Sequence, residues 1–236
     1  MVCARLFTTL SLLLSVYLCG SCNATNNAGT NPGPMRVLLL GDSISMGYTP
    51  FVREMMAEQA VVARAMNEKG DKNENCCGTT LGVENLERWL AQDGGTWDVI
   101  HFNFGLHDLK RVHPETGKNS NDPDDPYQAD PETYDNQLRN IVKRLKETGA
   151  FLVFATTTPV PSGVEPYRAP GDPLIYNTIA LNVMRDYDIQ VNDLFAYVSP
   201  HIAQWMKPAN VHFSEAGSKA LGSEVVRVIQ NAVATE

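Results

Sequence analysis

The sequence predicts an α/β protein whose parallel sheet is covered by helices on both faces, and three observations predict it. Short continuous apolar runs end at glycine or at polar turns, as buried parallel strands do. Segments with helical apolar spacing lie between those runs, so each strand-to-strand connection reads as a crossover. The chain has 236 residues, 43% hydrophobic and 19% charged, which suffices to bury one sizeable core.

The elements follow in order. Residues 35–40, Met-Arg-Val-Leu-Leu-Leu, form the first expected strand and stop at Gly41. Helices are expected over 52–67 and over 83–91. Residues 97–104 read as the next strand, ending at Gly105. The helix over 131–148 has the clearest punctuation: Asp130 to cap it, Pro131 in its first turn and Gly149 past its end. Its apolar stripe is Leu138, Ile141, Val142 and Leu145. Residues 151–155 and 188–192 give two more strands, with helices expected over 173–187 and 214–234. In such sheets chemistry sits at the C-terminal ends of the strands, which directs attention to the loops after Leu40, Phe104 and Ala155.

Residues 1–34 are not expected to belong to this fold. Arg5 precedes a mostly apolar run over 6–18, shorter than the roughly 20 residues that span a bilayer. A lone positive charge, a short apolar core and small residues after it describe an export signal over 1–21. Gly20-Ser21-Cys22 resembles a lipobox, which would make Cys22 the lipidated residue; plain secretion with cleavage near Ala24 is the competing reading. Residues 22–34 read as a flexible tether. The expected location is therefore periplasmic or cell-surface, with membrane contact only through the lipid.

Charge and cysteine usage exclude several classes. Lys plus Arg number 19 against 27 Asp plus Glu, a net charge of −8, which repels nucleic acid and anionic lipid. Five cysteines, two of them adjacent at Cys76-Cys77, make no disulfide framework. Cleavage before Cys22 would leave Cys22, Cys76 and Cys77, with neither a CxxC pair nor an HxxxH spacing, so neither metal nor cofactor is expected. The acidic stretch 119–130 lacks the alternating ligands and central glycine of a calcium loop and reads as a solvated rim. His101 reads as a core residue, His113 and His201 as solvated ones.

Four segments carry residues suited to acyl transfer. Gly41-Asp42-Ser43 joins the first strand to a helix, where a serine hydroxyl and its own N–H can face one reacting centre. Gly78 sits in a polar turn, Gly105-Leu106-His107-Asp108 follows the second expected strand, and Val211-His212-Phe213 precedes the last helix. An early serine, a late histidine and donors between them can make one nucleophilic site.

These four blocks, in this order, resemble those of the SGNH (GDSL-type) hydrolases, over 35 to about 234. The resemblance implies a flavodoxin-like three-layer sandwich of about five parallel strands. It implies Ser43 as nucleophile, His212 as base, and the N–H groups of Ser43 and Gly78 as an oxyanion hole. Two positions depart from the family pattern. His107 stands where an asparagine usually donates to the oxyanion; a neutral imidazole has one N–H that can replace it. Ala209 stands where an aspartate usually orients the histidine. A main-chain carbonyl near Pro208 or Asn210 is then expected to hold His212, with Asp193 as a further candidate. The implied activity is hydrolysis of a small O-acyl ester, acetyl on a carbohydrate first, by a monomeric enzyme. The alternatives are a sialic-acid ester, a lysophospholipase or thioesterase activity, and a non-catalytic carbohydrate-binding protein, which Ala209 favours.

Overall fold

The computed structural model of the protein describes residues 33–234 together with Met1. The expected export signal, Cys22 and nearly all of the tether lie outside the described residues. From Met35 onward the chain alternates strand and helix. The strands are β1 (Met35–Leu40), β2 (Ala60–Arg64), β3 (Val99–Phe102), β4 (Phe151–Ala155) and β5 (Gln190–Asn192). The helices are α1 (Ser43–Met55), α2 (Thr79–Ala91), α3 (Pro131–Lys146), α4 (Asp172–Tyr187), α5 (Leu194–Val198), α6 (Ile202–Trp205) and α7 (Glu215–Val233).

All five strands are parallel, in the order β2-β1-β3-β4-β5. That is the flavodoxin-like order, whose direction of winding reverses between β1 and β3 and opens a crevice there at the strands' C-terminal ends. The register aligns those ends: Leu39 lies opposite Arg64, Leu40 opposite Phe102, Phe102 opposite Phe154, and Ala155 opposite Asn192. Gly41, Asn103, Thr156 and Asp193 therefore begin their loops along one edge.

The core sits on both faces of this sheet. Val37 through Leu40 are fully buried, as a strand covered on two sides requires. Helices α1 and α7 pack on each other over one face, and α2, α3 and α4 lie side by side over the other. His101 is sealed within β3, its Nε2 facing Asn192 Nδ2 at 3.3 Å; burial pushes its pKa down to about 4, so it stays neutral.

One expected element is wrong. The helix expected over 52–67 is instead the end of α1 and the whole of β2. Helix α1 begins at Ser43, capped by Asp42 Oδ1 accepting from Ile44 N at 2.8 Å, and continues through Pro50. Pro50 lies inside this helix, which packs on α7. The run Ala-Val-Val-Ala-Arg then forms the edge strand β2, leaving Val61 exposed. A five-residue edge strand is too short for its apolar pattern to separate it from a helix. The other expected elements recur with shifts of a few residues at their ends.

The α1–α7 contact depends on Gly222. A Cβ there would lie 2.9 Å from Phe51 Cβ and 3.3 Å from the Tyr48 carbonyl oxygen. Glycine to alanine in a helix interior ordinarily gains up to about 1 kcal/mol. Here Gly222→Ala is expected to lose about 1–2 kcal/mol, because the two helix backbones must separate. Urea unfolding of the two proteins measures the sign.

Candidate active site

The crevice between β1 and β3 is built from four loops, and a buried guanidinium ties two of them together. Arg64, at the end of β2, sends Nη2 to the Gly41 carbonyl at 2.6 Å and Nη1 to Ser45 Oγ at 2.6 Å. Ser45 Oγ in turn donates to the Asp42 carbonyl at 2.7 Å. The Gly41 carbonyl also accepts from Cys76 N at 3.1 Å, and Arg64 Nη2 reaches the Glu74 carbonyl at 3.2 Å. The β1–α1 junction bearing Ser43 and the turn bearing Gly78 are thus held to one another. Asp42 supports this junction from below; burial pushes its carboxyl above the usual range, against the pull of its bond to Ile44 N and of nearby Arg64.

Ser43 opens α1 and is half-buried. Its Oγ lies 2.9 Å from His212 Nε2. The opposite ring nitrogen, Nδ1, lies 2.7 Å from Asn210 Oδ1, which also accepts His212 N–H at 2.9 Å. An amide oxygen that already accepts from the backbone sets Nδ1 as the protonated nitrogen, leaving the Nε2 lone pair toward Ser43. Burial lowers the His212 pKa; Lys207 and Arg168 lower it further, and Asp42 opposes them. The loop carrying His212 is clamped at its base by Lys207 N to the His212 carbonyl at 2.9 Å and Ser214 N to the Trp205 carbonyl at 2.7 Å.

Asp193 is placed elsewhere. Its Oδ1 caps α5 by accepting from Ala196 N at 3.1 Å and from Thr156 Oγ1 at 2.9 Å, so it does not reach His212. The group facing Nδ1 is the side chain of Asn210, rather than the main-chain carbonyl that the sequence suggested. Ala209 adopts a left-handed φ of 48°, turning the chain so that the next residue's side chain folds back onto the ring.

Opposite His212, Gly78 precedes α2 and Asp108 lies directly beneath it. A Cβ on Gly78 would stand 2.7 Å from Asp108 Oδ1, which explains the glycine. Asp108 Oδ1 accepts from Thr79 N at 2.7 Å and Thr79 Oγ1 at 2.6 Å, fixing the start of α2. Burial pushes the Asp108 carboxyl up to about 6 despite those bonds. The N–H groups of Ser43 and Gly78, each at the start of a helix, take no hydrogen bond among the described residues. His107 follows β3 on the turn after Gly105. Its Nδ1 is sealed without a partner among the described residues, which leaves Nε2 as the accessible nitrogen. Burial, with Lys110, Arg168 and His212 nearby, pushes its pKa down to about 3, so the ring is neutral.

Ser43 and His212 meet where a depression of about 190 Å³ lined by Ile44, Lys207, His212 and Phe213 opens against Ser43; the Gly78 turn is tied to the Ser43 junction through Cys76, and His107 lies within electrostatic reach of His212. The arrangement offers a hydroxyl beside a neutral imidazole, with backbone and ring N–H donors close by. No group of three metal-ligating side chains occurs among the described residues. The sequence reading missed three side chains here. Arg64 was hidden in the wrongly expected helix. Arg168 lies in a loop without pattern. Asn210 showed only its position two residues before His212.

The family model for the GDSL-like lipase/acylhydrolase family matches residues 39–220. No curated protein matches the chain by sequence at a significant level. Among solved structures, a lipase/acylhydrolase from Enterococcus faecalis superposes with a TM-score of 0.65 at 19% identity, covering 84% of this chain and 96% of its own. An acetyl xylan esterase, AlAXEase, gives 0.63 at 14% identity, covering 83% and 100%. The protein TesA gives 0.60 at 15%, covering 84% and 99%. At such identities these likenesses establish the shared fold.

Proton NMR titration tests the ring geometry. His212 is expected to titrate below 6.5, because burial and two cations disfavour the imidazolium. Asn210→Asp puts a carboxylate on Nδ1–H, favours the imidazolium and should raise that pKa; an unchanged value would show that residue 210 does not face the ring.

Proposed function

We propose, from the premise that this chain belongs to the GDSL-like lipase/acylhydrolase family, that it hydrolyses small O-acyl esters through an acyl-enzyme on Ser43. The observation that carries the reading is the 2.9 Å contact between Ser43 Oγ and His212 Nε2, with Asn210 on the ring's other nitrogen. In the first step Ser43 Oγ attacks the ester carbonyl carbon while its proton passes to His212 Nε2. The carbonyl electrons move onto oxygen, where the N–H groups of Ser43 and Gly78 and the Nε2–H of His107 receive the charge. The intermediate expels the alcohol, which takes the proton from His212, and the acyl group stays on Ser43. Water then repeats the sequence, giving its proton to His212 and releasing the acid.

Neutral histidines suit both roles. His212 must be unprotonated to act as base, and its lowered pKa keeps it so into mildly acidic solution. His107, held neutral by burial, donates one N–H without introducing a full charge.

A short acyl group is favoured by the shape and lining of the site. The depression beside Ser43 is small and carries Lys207, with Ile44 and Phe213 as its larger apolar side chains. A long lipid chain needs a continuous apolar channel, so the lysophospholipase and thioesterase alternatives fit less well. Acetyl on a carbohydrate carrier is the substrate we favour; the fold shared with an acetyl xylan esterase is in keeping with it. The non-catalytic alternative rested on Ala209, and the Asn210 contact removes that ground. Export, with lipidation at Cys22, remains part of the proposal on the character of residues 1–22.

Hydrolysis of a p-nitrophenyl acetate-to-octanoate series tests the reading. Ser43→Ala and His212→Ala are each expected to lower kcat by about 10³–10⁴-fold. His107→Ala should lower it by about 10²-fold, the loss of one oxyanion donor. Equal rates in wild type and Ser43→Ala overturn the assignment, and a preference for octanoate returns the lipid alternative. For wild type on the acetate, the acid limb of kcat/KM should fall below pH 6.5, where His212 gains its proton.

A further inference from the structure

A cation that the hydrolytic steps above do not use stands beside the oxyanion donors. Arg168 is 5% exposed. Its Nε donates to the Leu106 carbonyl at 2.8 Å, one residue before His107, and its Nη1 to the Pro166 carbonyl at 3.1 Å. Both acceptors are neutral, and Nη2 has no hydrogen-bond partner among the described residues. No carboxylate forms an ion pair with Arg168, Lys110 or Lys207 among those residues, whereas five other arginines have one.

The segment bearing Arg168 is held by its backbone to neighbouring loops, next to the turn of His107. Tyr167 accepts from Arg111 N at 3.0 Å and donates to the Ser120 carbonyl at 2.9 Å. Ala169 N donates to Asp172 Oδ2 at 2.8 Å, and Asp172 pairs with buried Arg111 at 3.2 Å. The guanidinium is therefore fixed in place without an anion to neutralise it.

Its surroundings are cationic in an otherwise acidic protein. Lys110 lies on the same turn as His107, half-buried, its N–H directed at the His107 carbonyl at 3.4 Å. The charges of Arg168 and Lys110 both act on His107, and those of Arg168 and Lys207 on His212. The carboxyls within electrostatic reach are Asp42 and Asp108. Each accepts from a backbone N–H at the start of a helix, and burial pushes both toward the neutral form. A net charge of −8 makes this local excess of positive charge a property of the site.

We propose that Arg168, with Lys110 at its side, forms a carboxylate-binding subsite next to the oxyanion hole, so that the ester hydrolysed on Ser43 carries a carboxylate. An ester with that group can complete the free Nη2 with a charge-assisted hydrogen bond, stronger than the same contact to a neutral oxygen. This rests on the hydrolase reading and narrows its substrate class: with acetyl as the acyl group, the carboxylate belongs to the carrier, as on an acidic sugar.

Two matched pairs of esters test it. In 4-acetoxybenzoate against its methyl ester, the charge is on the leaving group. In mono-p-nitrophenyl succinate against p-nitrophenyl butyrate, it is on the acyl group. The readout is the ratio of kcat/KM for the charged ester to that for its neutral partner, each normalised to its rate in hydroxide. Wild type is expected to show a ratio of about tenfold or more in one pair, declining with added salt. Arg168→Gln should abolish that preference, and Lys110→Gln should reduce it about threefold. The first variant also loses the bond to Leu106, so the second, whose side chain makes no hydrogen bond among the described residues, keeps the test open if the first does not fold. Preference in the first pair assigns the carboxylate to the carrier, in the second to the acyl group; both support the subsite. Normal turnover with no charge preference in either pair, or a preference unchanged in both variants, overturns it and leaves the hydrolase reading intact. Failure to hydrolyse any of the four esters overturns both.

Discussion

The site depends on a single carbonyl oxygen, that of Gly41, and on the buried Arg64 that binds it. Gly41 ends β1, the strand from which Ser43 is launched into α1. Its oxygen accepts from Arg64 on one side and from Cys76 on the other, so the nucleophile's turn and the Gly78 turn share one anchor. Burying a guanidinium is costly unless its donors are satisfied; Arg64 gives its two Nη groups to carbonyls and a hydroxyl of neighbouring loops, while its Nε has no partner among the described residues. Sequence-distant segments are thereby forced into a fixed relation: residue 64 cannot be satisfied unless 41, 45 and 74 are in place. Two N–H donors at the starts of separate helices are held ready by that relation.

Electrostatics divide the crevice into layers. Beneath it, Asp42 and Asp108 are sealed carboxyls bonded to the first turns of α1 and α2, where the helix termini favour acceptors. At its rim are histidines kept neutral by burial and by the cations around them. Neutrality suits the roles proposed for the two rings, one accepting a proton and the other donating a hydrogen bond without drawing a counter-ion. The same cations bring positive charge to the mouth of an acidic protein. A site assembled in this way stabilises charge that appears during reaction, and selects among ligands by charge as well.

The clearest sequence signals were those with local physical causes. The β1 run, the α3 punctuation of Asp130, Pro131 and Gly149, and the last helix are legible because their apolar periods and caps lie within a few residues. Ser43, Gly78, His107 and His212 were legible only as candidates, through four blocks in the order that a known family shares, each next to a strand end or a helix start. Strand β2 was not legible, because four alanines and valines followed by Arg64 at a sheet edge carry no period that distinguishes them from helix. At residue 210 the sequence pointed to the main-chain carbonyl; it is the side chain that reaches the ring, from a chain that turns left-handed at Ala209.

The sequence by itself determined the α/β class, four of the five strands, and the edge of the sheet at which their loops gather. Those follow from local propensity and from the rule that parallel strands deliver their loops to one edge. Only the tertiary structure decided what surrounds those groups. It placed Arg64 under the nucleophile's turn, Asn210 on the base, Asp193 on a helix cap, and Arg168 beside His107. The reason is physical: whether a side chain's partner stands two residues away, as Asn210 does from His212, or 62, as Leu106 does from Arg168, is set by where the folded backbone turns and brings it.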